Sequence, residues 1–476
     1  ALYSNKTGHS NTAIGYRALY TEGSRGNNVA IGHNALQYQS GSSGILADNT
    51  AIGYSAGAAV TTATRLTLVG SNAGVAITTG GYNTMFGWRA GYNTTTGASN
   101  TFLGNYAGHT NLTGYSNTTV GGSSFYYNST GYESVAVGFN AGYMFGRGSH
   151  TPKHSVFVGN NTGYYATGSY NTFIGHEVGK GGTTGTPYSS GTNNTALGYK
   201  ALTAFTTATS NTAVGYESAR VVTTGGGNVL MGYYSGQYLT TGDKNIYIGG
   251  YAGGGNHEGD YNVFIGHESG LGAANNTRFE NVSIGYQSMY SVTTAHENTV
   301  IGTQAAYSIT TADNNTIIGR QAGYNLTSAR YNVLIGDNAG YSLTEQNGNN
   351  ENVMIGNYAG YSGDNTWPQA TDNIYIGSGA GRYLDDGHSN VIIGKEAGKS
   401  DSGGGNTTQY DVFLGHKAGF NTTDTIRSVV IGNEAAYSMT VGSDSVIIGD
   451  QAGYTLTTTT KSVLIGKVAG YAINST

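Results

Sequence analysis

The chain has 476 residues, of which 79 are glycine and 39 are tyrosine, while only 10% are charged and none is cysteine. Three prolines and no Gly-X-Y period exclude collagen, and apolar residues at fixed positions argue against disorder. The net charge of −5 argues against a nucleic-acid partner, and the lack of cysteine excludes a disulfide frame. No apolar run approaches the ~20 residues that a membrane span requires, and no signal peptide stands at Ala1.

One motif of about 17 residues recurs along the chain. It is clearest from Asn298 to Leu343, where NTVIGTQAAYSITTADN, NTIIGRQAGYNLTSARY and NVLIGDNAGYSL follow one another. The Gly of each IG-like pair marks 26 copies, and 17 of the 25 intervals between them are 17 residues long. This period is too short for helical hairpins or propeller blades and suits one coil of a β-solenoid. We therefore predict an all-β chain in which residues 1–476 form a single continuous parallel solenoid of 26 coils.

The start of each coil has the pattern of a short strand. Counting from the repeat glycine, position −3 is Thr, Val or Ile in every copy and position −1 is apolar in every copy, as in Thr12 and Ile14. Apolar and β-branched residues two apart predict a strand with one face buried. Asn stands at −4 in 19 copies, and stacked Asn amides at a corner can hydrogen-bond from coil to coil.

Position −2 lies on the opposite face of this strand and is apolar in 24 copies. A strand that is apolar on both faces is covered on both faces, and an uncovered stripe on a monomer would be an aggregation surface. We therefore predict that the side chains at −2 form a subunit interface along the long axis. The bulky members of this predicted interface stripe are Ile317, Leu334, Tyr375, Ile392, Phe413 and Leu464.

The rest of the coil combines small residues, tyrosine and a turn. Ala stands at +3 in 19 copies and Gly at +4 in 18, which predicts close approach between backbone layers. Tyr stands at +5 in 13 copies, and such a row packs at the margin of the solenoid or holds glycans. A Thr-Thr-Gly segment such as residues 78–80 closes the coil, and its glycine predicts the positive φ of a turn. Each coil is therefore expected to hold two short strands and two turns.

The signature N-[TV]-x-[IV]-G-x-x-[AS] resembles the head repeats of YadA-type trimeric autotransporter adhesins, which are also found in bacteriophage tail fibres. The resemblance rests on all 26 copies and covers essentially the whole chain. It implies a left-handed parallel β-roll that trimerises about its long axis. The coil here is longer than that of the family and richer in tyrosine.

Eight intervals are irregular, and most of them gain residues in the turn after the Thr-Thr-Gly position. All three prolines lie in these insertions, as expected because proline cannot donate to a ladder. Loops along one edge of a solenoid are candidates for recognising a partner. The candidate recognition residues in these loops are His150, Lys153, His154, Tyr188 and Trp367.

No catalytic, cofactor or metal site is predicted. GxGxxG-like patterns near Gly249 are expected by chance among 79 glycines and lack the strand–loop–helix setting of a nucleotide site. Ser, His and Asp show no nucleophile signature, and the acids are dispersed rather than paired as in a glycosidase. Both ends of the sequence break off inside a coil, which predicts a window on a longer chain or a subunit that stacks end to end.

These patterns favour a non-enzymatic extracellular fibre, the shaft or head of a phage tail fibre or a trimeric bacterial adhesin, that attaches to a cell surface. The expected partners are further copies of the chain, as a homotrimer or in end-to-end assembly, and a host glycan or protein, with no nucleic acid. The alternatives are a self-assembling surface filament without a receptor and, with less support, an ice-binding or glycan-active solenoid.

Overall fold

The structure, a computed structural model, describes residues 1–41, 46–147, 150–182, 188–273, 276–344, 350–362, 370–384, 386–400 and 406–471. In these ranges the chain is all-β and forms no helix. It divides into two compact units, Ala1–Thr241 (unit 1) and Gly242–Thr476 (unit 2). Both units are parallel β-solenoids whose turns are about 17 residues apart, which confirms the predicted fold.

The described residues of unit 1 form thirteen strands, each made by positions −3 to −1 of one coil. Consecutive strands pair in parallel and in register, so equivalent positions of neighbouring coils lie side by side. The strands are β1 (Thr12–Ile14), β2 (Val29–Ile31), β3 (Thr50–Ile52), β4 (Thr67–Val69), β5 (Thr84–Phe86), β6 (Thr101–Leu103), β7 (Thr118–Val120), β8 (Val135–Val137), β9 (Val156–Val158), β10 (Thr172–Ile174), β11 (Thr195–Leu197), β12 (Thr212–Val214) and β13 (Val229–Met231).

Unit 2 repeats this arrangement and adds a short second sheet, in which β23, β25, β27 and β29 pair in parallel. Its main strands pair in register like those of unit 1. The strands are β14 (Ile246–Ile248), β15 (Val263–Ile265), β16 (Val282–Ile284), β17 (Thr299–Ile301), β18 (Thr316–Ile318), β19 (Val333–Ile335), β20 (Val353–Ile355), β21 (Ile374–Ile376), β22 (Val391–Ile393), β23 (Thr407–Gln409), β24 (Val412–Leu414), β25 (Asp424–Ile426), β26 (Val429–Ile431), β27 (Val441–Ser443), β28 (Val446–Ile448), β29 (Thr458–Thr460) and β30 (Val463–Ile465).

The prediction of two strands in every coil is wrong. In the described part of unit 1 each coil carries one strand. Among the described residues of unit 2, second strands occur only before β24, β26, β28 and β30. The reason lies in the backbone, because the repeat glycine and residues at −5 and +2 have positive φ, as in Tyr82, Gly87 and Arg89. Such residues interrupt extended backbone. Hydrogen bonds between coils nevertheless continue through these segments, for instance from the N–H of Thr61 to the carbonyl of Thr78 at 3.0 Å.

The glycine of the Thr-Thr-Gly segment also differs from its prediction. The left-handed residue of this turn is Tyr82, with a φ of 59°, and not Gly80. A Cβ atom at Gly80 would lie 2.1 Å from the carbonyl oxygen of Gly97 in the next coil. The close approach of two backbones therefore favours glycine there, although the preceding coil has Ala63 at the equivalent position.

The side chains at −2 fill the interior of each solenoid, and this overturns the predicted interface stripe. That stripe consists of Ile317, Leu334, Tyr375, Ile392, Phe413 and Leu464. All but the last are fully buried within the single chain, and Leu464 packs against the same core. In a three-residue strand the middle side chain points away from its two neighbours, and the narrow coil takes that one side chain inside. The prediction assigned the two faces the wrong way round.

The small positions do lie in close contact, but the +4 glycines meet a side chain rather than the predicted second backbone layer. Ala322 at +3 and its equivalents are buried, except Ala469, which is partly buried. The glycine at +4 lies against the −2 side chain of its own coil, since a Cβ atom at Gly270 would lie 2.6 Å from the Phe264 ring.

The asparagines at −4 form the predicted ladder along one corner. The Asn100 side chain is fully buried. Its Oδ1 accepts the backbone N–H of Asn117 at 3.0 Å, and its Nδ2 donates to Oδ1 of Asn83 at 3.1 Å and to the Gly114 carbonyl at 2.9 Å. One amide thus satisfies groups from three coils at a corner that backbone pairing alone would leave unbonded.

Candidate functional site: recognition surfaces

The outward face of the strands is an apolar strip in each unit. It carries the side chains at −3 and −1, which stack on their equivalents, as Ile301 does on Ile318. Several remain well exposed in the single chain, among them Phe86 at 57%, Leu197 at 45% and Ile248 at 37%. Both faces of the strands are apolar, as predicted. The face that the single chain leaves exposed, however, is formed by positions −3 and −1 and not by position −2.

Lys153 and His154, two of the predicted recognition residues, lie together in an aromatic cluster. The Lys153 ammonium is 5.8 Å from the ring centroids of both Tyr132 and Tyr170. The His154 ring stacks on Tyr170 at 5.3 Å, and its Nδ1 lies 3.2 Å from the Glu133 carboxylate. Hydrogen bonds with the two tyrosines raise the pKa of Lys153, so this cation is charged at neutral pH and already has partners in its own chain.

The other predicted recognition residues lie apart from this cluster. His150 is exposed, and its backbone carbonyl accepts a hydrogen bond from Oγ1 of Thr130 at 3.0 Å. Tyr188 belongs to a separate aromatic group, and Trp367 lies outside the described residues. Of the four candidates that the structure describes, it brings together Lys153 and His154.

The tyrosines at +5 stack from coil to coil. In unit 2 the ring centroids of Tyr290, Tyr307, Tyr324 and Tyr341 follow one another at 4.8, 5.0 and 5.1 Å, and neighbouring rings are within 8° of parallel. Each inner ring has both faces against a neighbour, so its edge and hydroxyl remain for other contacts. Stacking of this kind stabilises the solenoid, and it leaves little open ring face for a sugar.

In unit 1 the corresponding row is wider and includes an arginine. Tyr143 stacks on Tyr164 at 4.7 Å, while Tyr127 stands edge-on to Tyr143 at 5.3 Å and Tyr165 edge-on to Tyr164 at 4.6 Å. The Arg147 guanidinium lies 4.9 Å from the Tyr127 ring centroid. It also lies 5.1 Å from the ring centroid of Tyr188, whose hydroxyl accepts a hydrogen bond from it at 2.5 Å. We call this group the aromatic–arginine patch, which consists of Tyr127, Tyr143, Arg147, Tyr164, Tyr165 and Tyr188.

The aromatic–arginine patch is rich in hydrogen-bond donors. Burial, with the neighbouring Tyr127 and Tyr164, raises the pKa of Tyr143 to about 12, and burial followed by neighbouring tyrosines also raises the pKa of Tyr164. These hydroxyls therefore stay protonated at neutral pH. Arg147 is exposed, and in the described part of the chain no carboxylate lies within ion-pair distance of it.

The aromatic row continues from the patch toward a second arginine. Tyr126, His109 and Tyr92 extend the stack, with centroids 4.6 and 5.2 Å apart. The Arg89 guanidinium lies 5.1 Å from the Tyr92 ring and 4.9 Å from the Trp88 ring. It too lacks a carboxylate within ion-pair distance among the described residues. Sequence reasoning missed this arrangement, although the doubled tyrosines at 126–127 and 164–165 were a visible signal.

The threonines that suggested ice binding use their hydroxyls within the solenoid. Oγ1 of Thr61 donates to the carbonyl of Thr78 at 3.0 Å, and Oγ1 of Thr78 donates to that of Thr95 at 3.2 Å. Thr310 makes the same bond in unit 2, to Thr327 at 3.0 Å. These donors hold consecutive coils together, which weighs against a surface built to order water.

Arg278 is a fully buried cation that sequence reasoning also missed. Its Nη1 donates to the carbonyl of Gly270 at 2.5 Å, and its Nε donates to that of Thr293 at 3.4 Å. Burial lowers the pKa of Arg278 to about 10. Since these partners are backbone carbonyls of its own unit, Arg278 ties irregular coils together.

In the described ranges, no group of three or more His, Cys, Asp or Glu side chains could hold a metal ion. Those ranges also contain no helix that is long and apolar enough to cross a bilayer. No protein-family model matches the chain, and no curated protein matches it.

Proposed function

We propose that the chain forms the shaft or head of a non-enzymatic extracellular fibre that attaches to a cell surface, on a phage virion or a bacterium. The observation that carries this proposal is the apolar strip on the outward face of the strands. Exposed apolar areas that extend over many residues mark interaction surfaces. A strip that repeats with every coil is best covered by a partner with the same repeat, which is a second copy of this chain.

The assembly that fits this strip is a parallel homotrimer. Stacked residues such as Ile301 and Ile318 present an apolar side chain at each level, so a parallel copy in register brings its own apolar side chain to the same level. Closed rotational symmetry leaves no copy with an uncovered strip. The number three comes from the resemblance to trimeric adhesin and tail-fibre repeats.

Attachment is the function that such an assembly serves best. Within each unit the Asn ladder, the stacked tyrosines and the in-register strands bond neighbouring coils to one another, which suits a fibre exposed to shear. A repeated surface also offers many copies of one weak contact, and linked weak contacts produce strong overall binding through avidity. The resemblance to adhesin and tail-fibre repeats points to a cell surface as the target.

Native mass spectrometry and sedimentation velocity of the full chain test the assembly. With a subunit of 49.2 kDa, we expect one discrete and elongated trimer. A polydisperse series that grows with concentration would favour the self-assembling filament, and a stable monomer would refute an interface on the strip. Attachment is measured separately, as retention of fluorescent protein on a panel of bacterial cells. Retention on none of them would contradict the adhesive role.

A further inference from the structure

The two units carry opposite net charges, which the total of −5 conceals. Unit 1 has ten Lys and Arg against five Asp and Glu, a net charge of +5. Unit 2 has eleven Lys and Arg against twenty-one Asp and Glu, a net charge of −10. A surface potential of one sign raises the local concentration of ligands of the other sign. Unit 1 is therefore the part of the chain that attracts an anion.

Within unit 1 the arginines differ in what they contact. Arg220 lies 3.3 Å from the Glu217 carboxylate, so its charge is partly neutralised. Arg147 instead stacks on two tyrosine rings and has no carboxylate within ion-pair distance among the described residues. Stacking fixes the plane of the guanidinium. Nη1 donates to the Tyr188 hydroxyl and to Sδ of Met144, so the edge formed by Nε and Nη2 is the one that can bind an oxyanion with two parallel hydrogen bonds.

We propose that the aromatic–arginine patch binds an acidic polysaccharide, carboxylated or sulfated, and this inference rests on the proposed attachment function. Arg147 binds the carboxylate or sulfate. The protonated hydroxyl of Tyr164 donates to an acceptor oxygen of the sugar, whereas the Tyr143 hydroxyl is already hydrogen-bonded to Tyr127.

The ligand that fits best is a polymer rather than a single sugar. Arg89 and Arg147 belong to coils three apart in the repeat, which corresponds to about 14 Å along the solenoid at the usual spacing of paired strands. The aromatic row between them is continuous. A charged chain that lies along this row reaches both guanidiniums at once, and each contact then strengthens the other.

The stacking argues against a single-stranded nucleic acid at this site. Bases bind to such proteins by stacking on open aromatic faces, and in this row the faces of inner rings such as Tyr126 lie against the rings of neighbouring coils. The other anionic candidate is unit 2 of a second copy of the chain. The experiment below distinguishes this partner from a polysaccharide.

The test measures binding of the full chain to alginate (carboxylated), dextran sulfate (sulfated) and neutral dextran by isothermal titration calorimetry. We expect binding to one or both acidic polymers, weakened by added salt, and no binding to neutral dextran. Arg147→Gln should lower the affinity about tenfold or more, because a charge-assisted hydrogen-bond pair is lost. Arg147→Lys should recover only part of this loss, since lysine keeps the charge but lacks the planar fork.

Arg427→Gln is the matched control. Arg427 is exposed, as Arg147 is. Its guanidinium, however, lies 2.7 Å from the Asp444 carboxylate in the acidic unit. We expect its substitution to leave polysaccharide affinity unchanged. Equal losses in the Arg147 and Arg427 variants, full recovery with Arg147→Lys, or equal binding of neutral dextran would each overturn the proposal.

Sedimentation of the same variants separates a polysaccharide from a second copy of the chain. If Arg147→Gln reduces association between copies and leaves polysaccharide binding intact, the patch contacts another chain and the proposal is wrong. If the wild-type chain attaches to cells but binds neither acidic polymer, this inference alone fails. If the chain attaches to no cells, the proposed function fails, whatever the calorimetry shows.

Discussion

A Cβ atom at Gly108 would lie 2.5 Å from the ring of Phe102, which occupies the interior of the same coil. This relationship between +4 and −2 recurs along the chain. In all sixteen copies with Leu, Ile, Met, Phe or Tyr at −2, the residue at +4 is glycine. In eight of the ten copies with Ala, Ser, Thr or Val at −2, position +4 carries a side chain, as in the pair Ala196 and Leu202. Two positions of a coil thus share one volume.

Gly108→Ala is expected to destabilise the protein. The new methyl group overlaps the Phe102 ring, and overpacking of a core costs about 1–3 kcal/mol. A side chain at the left-handed φ of +60° adds about 1 kcal/mol. The midpoint of urea unfolding, followed by far-UV circular dichroism, measures the loss. Ala219→Gly is the control, because its −2 partner is Ala213, and its midpoint should change little.

A double substitution tests whether the two positions share volume. Phe102→Ala alone leaves a cavity that costs about 3–5 kcal/mol. Adding Gly108→Leu reproduces the natural pair Ala196 and Leu202, so part of that loss should return. Leucine is tolerated in this backbone, since Leu202 has a φ of 51°. Additive losses in the double variant would show that the two sites do not compensate.

Substitutions at 317 and 318 separate the core from the outward strip. Ile317 is fully buried, whereas Ile318 is partly exposed on the strip. Ile317→Asp should unfold the surrounding coils, because an unpaired charge in an apolar core costs several kcal/mol. Ile318→Asp should keep the β-sheet signal and instead lower the native mass toward that of a monomer. If Ile318→Asp has the same native mass as the wild-type oligomer, the strip is not the interface between subunits.

Asp411 makes stability depend on pH. It occupies the −4 position of the Asn ladder, where its carboxylate accepts hydrogen bonds at 2.7 Å from the Ser428 N–H and from Thr425 Oγ1. Burial nevertheless raises the pKa of Asp411 from its ordinary value of 3.8 to about 6. The folded chain therefore holds this proton more tightly than the unfolded chain. Its contribution is most favourable below about pH 4 and is lost as the pH rises to about 6.

Asp411→Asn should therefore stabilise the protein at neutral pH by about 2–3 kcal/mol and much less at pH 4. The added amide can also donate to Oδ1 of Asn390, as Asn390 itself does to Asn373 at 3.1 Å. Urea midpoints of both proteins at pH 4 and pH 8 give the two differences. The same difference at both pH values would mean that the carboxyl group does not titrate in this range.

Asn100→Ala should destabilise the ladder by about 1–3 kcal/mol, because the N–H of Asn117 loses its buried partner, whereas the carbonyl of Gly114 keeps its bond from Asn111. Asn100→Ser should cost less, since a serine oxygen can accept from the next coil, as Ser134 does from the Ser155 N–H at 3.1 Å. Amide hydrogen exchange at Asn117 reports the effect locally. If the Asn117 amide is as well protected in both variants as in the wild type, the side-chain ladder adds little to the stability that backbone hydrogen bonds provide.

The sequence predicted the coil and its strands because both depend on local pattern. The residues at −3 to −1 form the strands in register, as Thr316–Ile318 shows. Which face points inward was not predictable in the same way. Thr316, Ile317 and Ile318 are all compatible with burial, and the choice depends on the width of the whole coil, which admits one side chain per strand. The left-handed residues also escaped prediction, since Tyr82 and Arg89 have no preference for positive φ.

The aromatic–arginine patch illustrates a different limit. Arg147 and the Tyr188 hydroxyl are hydrogen-bonded although 41 residues separate them in the sequence. The insertions change the spacing between coils, so a column drawn at a fixed period misses this pair. The charge asymmetry was visible in the sequence from the start, but the overall net charge masked it.

The pairing of Phe102 with Gly108 bears on how such a protein can grow. Both residues belong to one coil, so a tandem duplication of a single coil would copy a matched pair and insert it without a misfit. The pairing of a large −2 residue with a +4 glycine is not strict. In the coil with Ala51 at −2 and Gly57 at +4, the space beside Gly57 is filled by Leu36 and Leu68 of the coils on either side. The chain can therefore lengthen or shorten by one coil at a time. After such a change, only the packing within that coil and against its immediate neighbours has to be adjusted.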